Sequence, residues 1–204
     1  MTNFDSLRAG ATGPLAYMAR PQKPKELYAL YPFKDSLKDL SIYQRDLSAS
    51  VSYQTNGIWD MEVGSFTINI GNLSEYTIDF FLCLKNTGDT ATFLTSQEWK
   101  LTLSGWSNFN ILNKNNGSIC SVSANANTIL HLAIAQKDGV LYSWINGTFK
   151  GSYGSGLQAL TALNLNNKGA FCNMRIVSKC LQTSGTFPVP GTYYTGYEPL
   201  NGGG

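Results

Sequence analysis

The chain has one histidine, His131, and that scarcity excludes more chemistry than any other absence. Ser-His-Asp catalysis needs a histidine base beside an activated nucleophile. No Gly-x-Ser-x-Gly segment occurs, and His131 sits inside a strand-like alternation. It therefore reads as a satisfied structural histidine. Cysteine is nearly as sparse. Cys83, Cys120, Cys172 and Cys180 form no Cys-x-x-Cys pair, so zinc-ligand spacing is missing and buried free thiols are expected. Charged residues make up 14% of the chain and sum to +2, with the basic ones scattered. A nucleic-acid partner needs them clustered. No apolar run approaches the length of a membrane span, and no Gly-x-x-x-x-Gly-Lys phosphate loop exists. The first residues lack the basic-then-apolar layout of a secretion signal. The expectation is a protein made and kept in a cytosol, or released by lysis.

Asn, Ser, Thr and Gly together exceed a third of the 204 residues, which suits a loop-rich β protein and disfavours helices. The clearest pattern runs from Leu130 to Ser152. Leu130, Leu132 and Ile134 alternate with His131, Ala133 and Ala135; Leu141, Ser143 and Ile145 alternate with Tyr142 and Trp144. Asp138-Gly139 and Asn146-Gly147 mark the two reversals, because these dipeptides accept the positive φ of tight hairpins. The strongest single strand is Tyr76 to Leu84, with Ile78, Phe80, Leu82 and Leu84 on one face. Phe81 and Cys83 on its other face suggest a central strand covered on both sides. Short strand signals also fall at Ser65 to Ile70, Ala91 to Thr95, Trp99 to Leu103, Phe109 to Leu112 and Ser118 to Val122. A last strand, Ala170 to Ser178, is read with Ala170, Cys172, Met174 and Ile176 alternating. Gly156 to Leu163 is read as a short helix or turn. Residues 1–26 carry Gly10, Gly13, Pro14, Pro21 and Pro24 without periodicity and read as an arm, with Leu15, Tyr17 and Met18 as anchors. Residues 27–200 form the domain, with Phe187 and the tyrosines of its tail lying along the surface, and 201–204 a flexible tail. The fold class is all-β, a two-sheet antiparallel jelly-roll sandwich with an extended N-terminal arm.

Four segments carry a family resemblance. They are Phe33, Ser36, Leu37 and Asp39 in a Phe-x-x-Ser-Leu-x-Asp opening, and Tyr76 to Phe81 as Tyr-Thr-Ile-Asp-Phe-Phe. The third is the hairpin from His131 to Gly147, and the fourth is a closing set of Arg175, Ile176, Leu181, Phe187, Pro188 and Pro190. Their order resembles the concanavalin A-like lectin/glucanase family, in its laminin-G-like branch. The closing segment resembles those of bacteriophage virion proteins carrying this domain. The resemblance spans roughly residues 27–200 and implies two sheets packed ~10 Å apart.

Hydrolysis in that superfamily would need paired carboxylates, one to protonate the leaving group and one to attack or activate water. The hydrolase motif is close to Glu-x-Asp-x-Glu. The nearest segment here is Ile58-Trp59-Asp60-Met61-Glu62, where Ile58 replaces the first carboxylate. The chain is therefore expected not to be an enzyme. Sugar binding uses aromatic plates and amides, and Trp99, Trp106, Asn108, Asn110 and Asn113 are the candidate ligand-binding residues. Asp35 and Asp39 are the acidic pair toward a calcium ion, common in this superfamily, but no dense Asp cluster surrounds them and no cofactor is expected. The resulting expectation is a structural protein of a phage head or tail, localised to the virion and present in many copies. Its partners would be other virion proteins, reached through the N-terminal arm, and a host surface glycan, with no nucleic acid and no membrane insertion. Alternatives are a lectin module outside any virion, or a degenerate glycoside hydrolase.

Overall fold

The structure is a computed structural model that describes residues 23–33, 37–47, 51–53, 59–61, 65–84, 91–104, 107–125, 128–166 and 169–191. All regular structure among them is β. The strands are β1 (Leu27–Tyr31), β2 (Val51–Tyr53), β3 (Trp59–Met61), β4 (Ser65–Leu73), β5 (Tyr76–Leu84), β6 (Ala91–Thr95) and β7 (Trp99–Ser104). They continue with β8 (Asn108–Asn113), β9 (Ser118–Ser123), β10 (Ile129–Lys137), β11 (Val140–Ile145), β12 (Thr148–Tyr153), β13 (Leu160–Asn166) and β14 (Gly169–Val177).

They form two antiparallel sheets. An eight-stranded sheet runs β12-β11-β10-β5-β14-β3-β2, with β1 also paired to β14. A six-stranded sheet runs β4-β13-β6-β7-β8-β9. This is the jelly-roll sandwich expected from the strand pattern. Its core is built by alternation. Ile78, Phe80 and Leu82 of β5 and Leu130, Leu132 and Ile134 of β10 meet Leu101, Leu103, Phe109, Ile111, Leu163 and Leu165 of the other sheet. Each such side chain contributes on the order of 1.5–3 kcal/mol when removed from water.

The hairpins follow from their dipeptides. Asp138 and Gly139 have φ of 50° and 72°, and Asn146 and Gly147 have 49° and 77°. Two consecutive positive-φ residues match the right-handed strand twist. Lys137 thus pairs with Val140, and Ile145 with Thr148.

Two expectations need correction. Gly156 to Leu163 is not a helix or a turn throughout; its second half opens β13, whose Leu163 and Leu165 are buried while Asn164 is exposed. That period of two was hidden behind the preceding glycines. In β14 the strict alternation fails, because the register slips between Cys172 and Arg175. Asn173 takes φ 53° and donates its backbone N–H to Pro32 O at 2.9 Å. This bulge puts Met174 and Ile176 in the main core, while Ala170 and Cys172 lie in a separate cluster with Phe81 and Cys83.

The outward face of the eight-stranded sheet is also covered. Residues 37–47 lie over Leu27, Leu30 and Val177, with Leu40 packed on them. Asp39 organises that loop: its carboxylate accepts from Leu30 N, Ser41 N, Ser41 Oγ and Arg45 N at 2.7–2.9 Å. Residues 178–191 form a strap. Phe187, expected along the surface, lies on the sheet but is wholly enclosed by Ala133, Ala135 and Trp144. Its N–H donates to Gly147 O at 2.9 Å, and Trp144 Nε1 donates to Gly185 O at 2.9 Å. A Cβ on Gly147 would stand 2.8 Å from Phe187 O, so only glycine lets the strap approach this turn. The tail tyrosines lie outside the described residues.

Candidate functional site

The six-stranded sheet presents its other face to solvent, and the register places its polar residues in rows. One row crosses all six strands: Thr67, Asn164, Thr95, Lys100, Leu112 and Ser118. A second holds Thr92, Thr102, Asn110 and Ser121. A third holds Ser104, Asn108 and Ser123. Strands stand ~4.8 Å apart, so the long row spans roughly 24 Å. The cause is local. On each strand core-facing residues (Ile68, Leu94, Leu101, Ile111, Cys120, Leu165) alternate with outward positions held mostly by Ser, Thr and Asn.

The face is rich in groups that both donate and accept hydrogen bonds. Asn110 Nδ2 donates to Ser104 Oγ and to Asn108 O, each at 2.9 Å. That fixes the amide with no bond to its Oδ1 among the described residues. Thr67 Oγ1 donates to Asn164 Oδ1 at 2.5 Å. Asn108, Ser118, Ser121, Ser123 and Asn164 are exposed.

The sequence candidates divide. Asn108 and Asn110 come together on this face. Trp99 does not: it is 1% exposed, and its indole Nε1 donates to Tyr76 Oη at 2.9 Å inside the core. Burial and that indole bond push the Tyr76 hydroxyl in opposite directions; burial is the larger and raises its pKa well above the usual tyrosine range. Asn113 ends β8, and its side chain anchors the turn that follows. Its Oδ1 accepts from Asn115 N and Gly117 N, and its Nδ2 donates to Tyr153 Oη at 2.6 Å. Trp106 lies outside the described residues, in the connection between β7 and β8. The other members of the rows were not singled out from sequence. Their signal, Ser, Thr or Asn at every second position of several strands, was present. The register that joins them is non-local.

The remaining candidates have structural partners. Arg175 Nε donates to Asp79 Oδ2 at 2.8 Å, and His131 Nε2 stands 3.7 Å from Asp79 Oδ1. All three are buried on the outward face of the eight-stranded sheet. His131 is structural but not satisfied by hydrogen bonds: among the described residues neither ring nitrogen has a hydrogen-bond partner. Its ring lies instead between Phe81 and Phe187, at centroid distances of 5.0 and 6.1 Å. Asp60 lies in β3, while Ile58, Glu62 and Asp35 lie outside the described residues. Asp39 has both oxygens engaged by the loop it organises, so it is not a free calcium ligand. Among the described residues no three His, Cys, Asp or Glu side chains group as a metal site. No helix among them is long and apolar enough to cross a membrane. Cys83, Cys120 and Cys180 are free thiols; Cys120 and Cys172 are buried, whereas Cys83 and Cys180 are half-buried.

Fold and surface together define a two-sheet antiparallel jelly roll with one polar sheet face turned outward. No protein-family model matches the chain, and no curated protein matches it. Solved structures do. The binding domain of botulinum neurotoxin serotype C1 superposes with a TM-score of 0.59 at 13% identity, over 77% of this chain and 49% of that one. The binding domain of botulinum neurotoxin DC in complex with SialylT gives 0.59 at 14%, over 78% and 49%. Trypanosoma rangeli sialidase in complex with sialic acid gives 0.61 at 9%, over 78% and 32%. The chain thus spans about half of the neurotoxin domains and about a third of the sialidase. At these identities the likeness is one of fold.

Proposed function

We propose that this protein is a non-enzymatic, lectin-like module that binds glycan on the open face of its six-stranded sheet, and that it serves as a structural protein of a virion. The observation that carries the binding reading is the set of three aligned rows, mostly hydroxyl and amide side chains, all exposed or half-buried except Thr102. Sugar hydroxyls donate and accept, and Ser, Thr and Asn side chains answer both roles without the desolvation cost of a charge. The neighbours in complex with SialylT and with sialic acid share the fold and lend the reading support.

Support for a non-catalytic role comes from how the described carboxylates are used. Asp39 holds a loop, Asp79 meets Arg175, Glu98 meets Lys114 at 3.1 Å, and Glu75 accepts from Cys180 N at 3.1 Å. Most glycosidases need two carboxyls free to act on one bond, sialidases with their tyrosine nucleophile being an exception. Purified protein should release no reducing ends from polysaccharides; release lost in Glu62→Gln would instead favour the degenerate hydrolase. The virion reading is supported by the resemblance of the Phe187-Pro188-Val189-Pro190 segment to those of phage proteins. Its test is deletion of residues 1–25, which should leave a folded domain that no longer joins its parent particle. The test of binding is a glycan array with the intact chain, repeated with Asn110→Ala. Binding at least tenfold weaker in the variant is expected. An array with no signal above background would sink the reading, and self-association lost in Asn110→Ala would assign the face to a second copy.

A further inference from the structure

Lys100 is the one charged side chain in the three rows of the open face. It makes no ion pair and no side-chain hydrogen bond among the described residues, in contrast to Lys114, which pairs with Glu98. It is also central. β7 is the fourth of six strands, flanked by β6 and β8. A lysine on an edge strand would be explained as a guard against edge-to-edge pairing. That explanation fails for a strand whose both edges are already paired.

Its immediate neighbours complete a local pattern. Across β8, Lys100 pairs with Leu112, which is half-buried and is the one large apolar side chain in the rows. Across β6 it pairs with Thr95, and beyond Leu112 stands Ser118. Directly paired residues hold their Cβ atoms about 4.5–5.5 Å apart. An ammonium, a branched hydrocarbon and two flanking hydroxyls therefore lie along one line of roughly 14 Å, the reach of a short oligosaccharide.

We propose that the glycan bound on this face carries a carboxylate, and that Lys100 is the residue that selects it. The carboxylate of a uronic or sialic sugar meets the Lys100 ammonium, the C–H face of the ring rests on Leu112, and the hydroxyls bond to the flanking threonine and serine. The inference rests on the glycan-binding reading above and adds the chemical class of the ligand. A neutral sugar would leave Lys100, the one cation among the described residues of the three rows, without a contact; a polyanion such as a nucleic acid would need several.

The experiment is titration calorimetry of the intact chain with paired probes: a galacturonate oligosaccharide beside its methyl ester, and sialyllactose beside lactose. The first pair differs in the charge of the carboxyl and one methyl group per residue, and the two pairs separate uronic from sialic acid as the source. The acidic member of one pair should bind at least tenfold more tightly than its neutral partner, and the preference should shrink as salt is raised. Lys100→Gln should abolish the preference, and Lys100→Arg should retain most of it, with unchanged melting curves. Equal binding of acidic and neutral members, or an undiminished preference in Lys100→Gln, overturns the proposal while leaving glycan binding intact. If none of the four probes binds and a broad array is also silent, the proposal falls together with the binding reading.

Discussion

The outward faces of the two sheets follow the same alternation and meet opposite fates. On the eight-stranded sheet Thr77, Asp79, His131, Ala133, Ala135, Trp144 and Arg175 are all buried, beneath the 37–47 loop and the strap. On the six-stranded sheet Thr67, Asn108, Ser118, Ser121, Ser123 and Asn164 are exposed. The difference lies in residue type. Small alanines beside a tryptophan make a recess that an aromatic ring can fill, as Phe187 does. Rows of Ser, Thr and Asn are well solvated and give no such drive for burial. One face is thus committed to stability, and the other is left available to a partner.

The largest effects should come from the interior. Phe80 is fully buried between the sheets and stands 5.9 Å from Phe171, centroid to centroid. Phe80→Ala should cost about 3–5 kcal/mol, read as a shift of the denaturation midpoint at constant slope. An unchanged midpoint would mean the strand's inward face is wrongly assigned. Asp79→Ala should cost a similar amount, about 3–5 kcal/mol, because it strips a buried guanidinium of its carboxylate. If it cost no more than a surface change, the outward face of the large sheet would have to be accessible to water, and the contrast between the faces would collapse.

The strap tests the comparison more directly. Phe187 fills the recess over Ala133 and Ala135 and touches Trp144 at a centroid distance of 5.5 Å. We expect Phe187→Ala to cost about 2–4 kcal/mol, somewhat below an inter-sheet phenylalanine, since the strap can settle into part of the space. Hydrogen exchange should then rise at the amides of Phe187 and the β11–β12 turn while the inter-sheet core stays protected. The thiols report on the same face. Burial raises the pKa of Cys83 and Cys180, so alkylation of both should need a higher pH than a free cysteine. Loosening the strap in Phe187→Ala should speed the reaction of Cys180, which packs beside Phe187, and leave Cys83 unchanged.

Much of this was legible from sequence, for identifiable reasons. The hairpins at Asp138-Gly139 and Asn146-Gly147 were readable because their turn chemistry is local. The two-sided burial of β5 was readable because Phe81 and Cys83 interrupt its polar alternation. The β14 bulge was not. Nothing near Asn173 marks it, and it is fixed by a bond to Pro32, far away in the chain. The recess for Phe187 was not either, since it joins residues from β10, β11 and the strap. The open face lies between these cases. Asn108 and Asn110 were found from composition, but Trp99 was placed with them only because it is near in sequence. Parity along β7 turns its side chain inward, while Lys100, its neighbour, faces out.

The smallest effect is the one that most sharpens the contrast. Ser121 and Ser123 lie on β9, the edge of the six-stranded sheet, both exposed and with no side-chain hydrogen bond among the described residues. Ser121 stands opposite Asn110, and Ser123 opposite Asn108. Replacing both serines by alanine removes two hydroxyls from the second and third rows without opening a cavity. Surface changes of this kind usually stay within about 0.5 kcal/mol. For a chain of this size that is a shift in melting temperature of roughly 1–2 °C. Glycan affinity, by contrast, should fall severalfold, because each lost hydroxyl leaves a ligand group without its partner. A melting temperature lowered by much more would show that β9's outward side chains are packed against something, as those of β10 are. Both faces would then be structural, and the ligand would have to be sought elsewhere on the molecule.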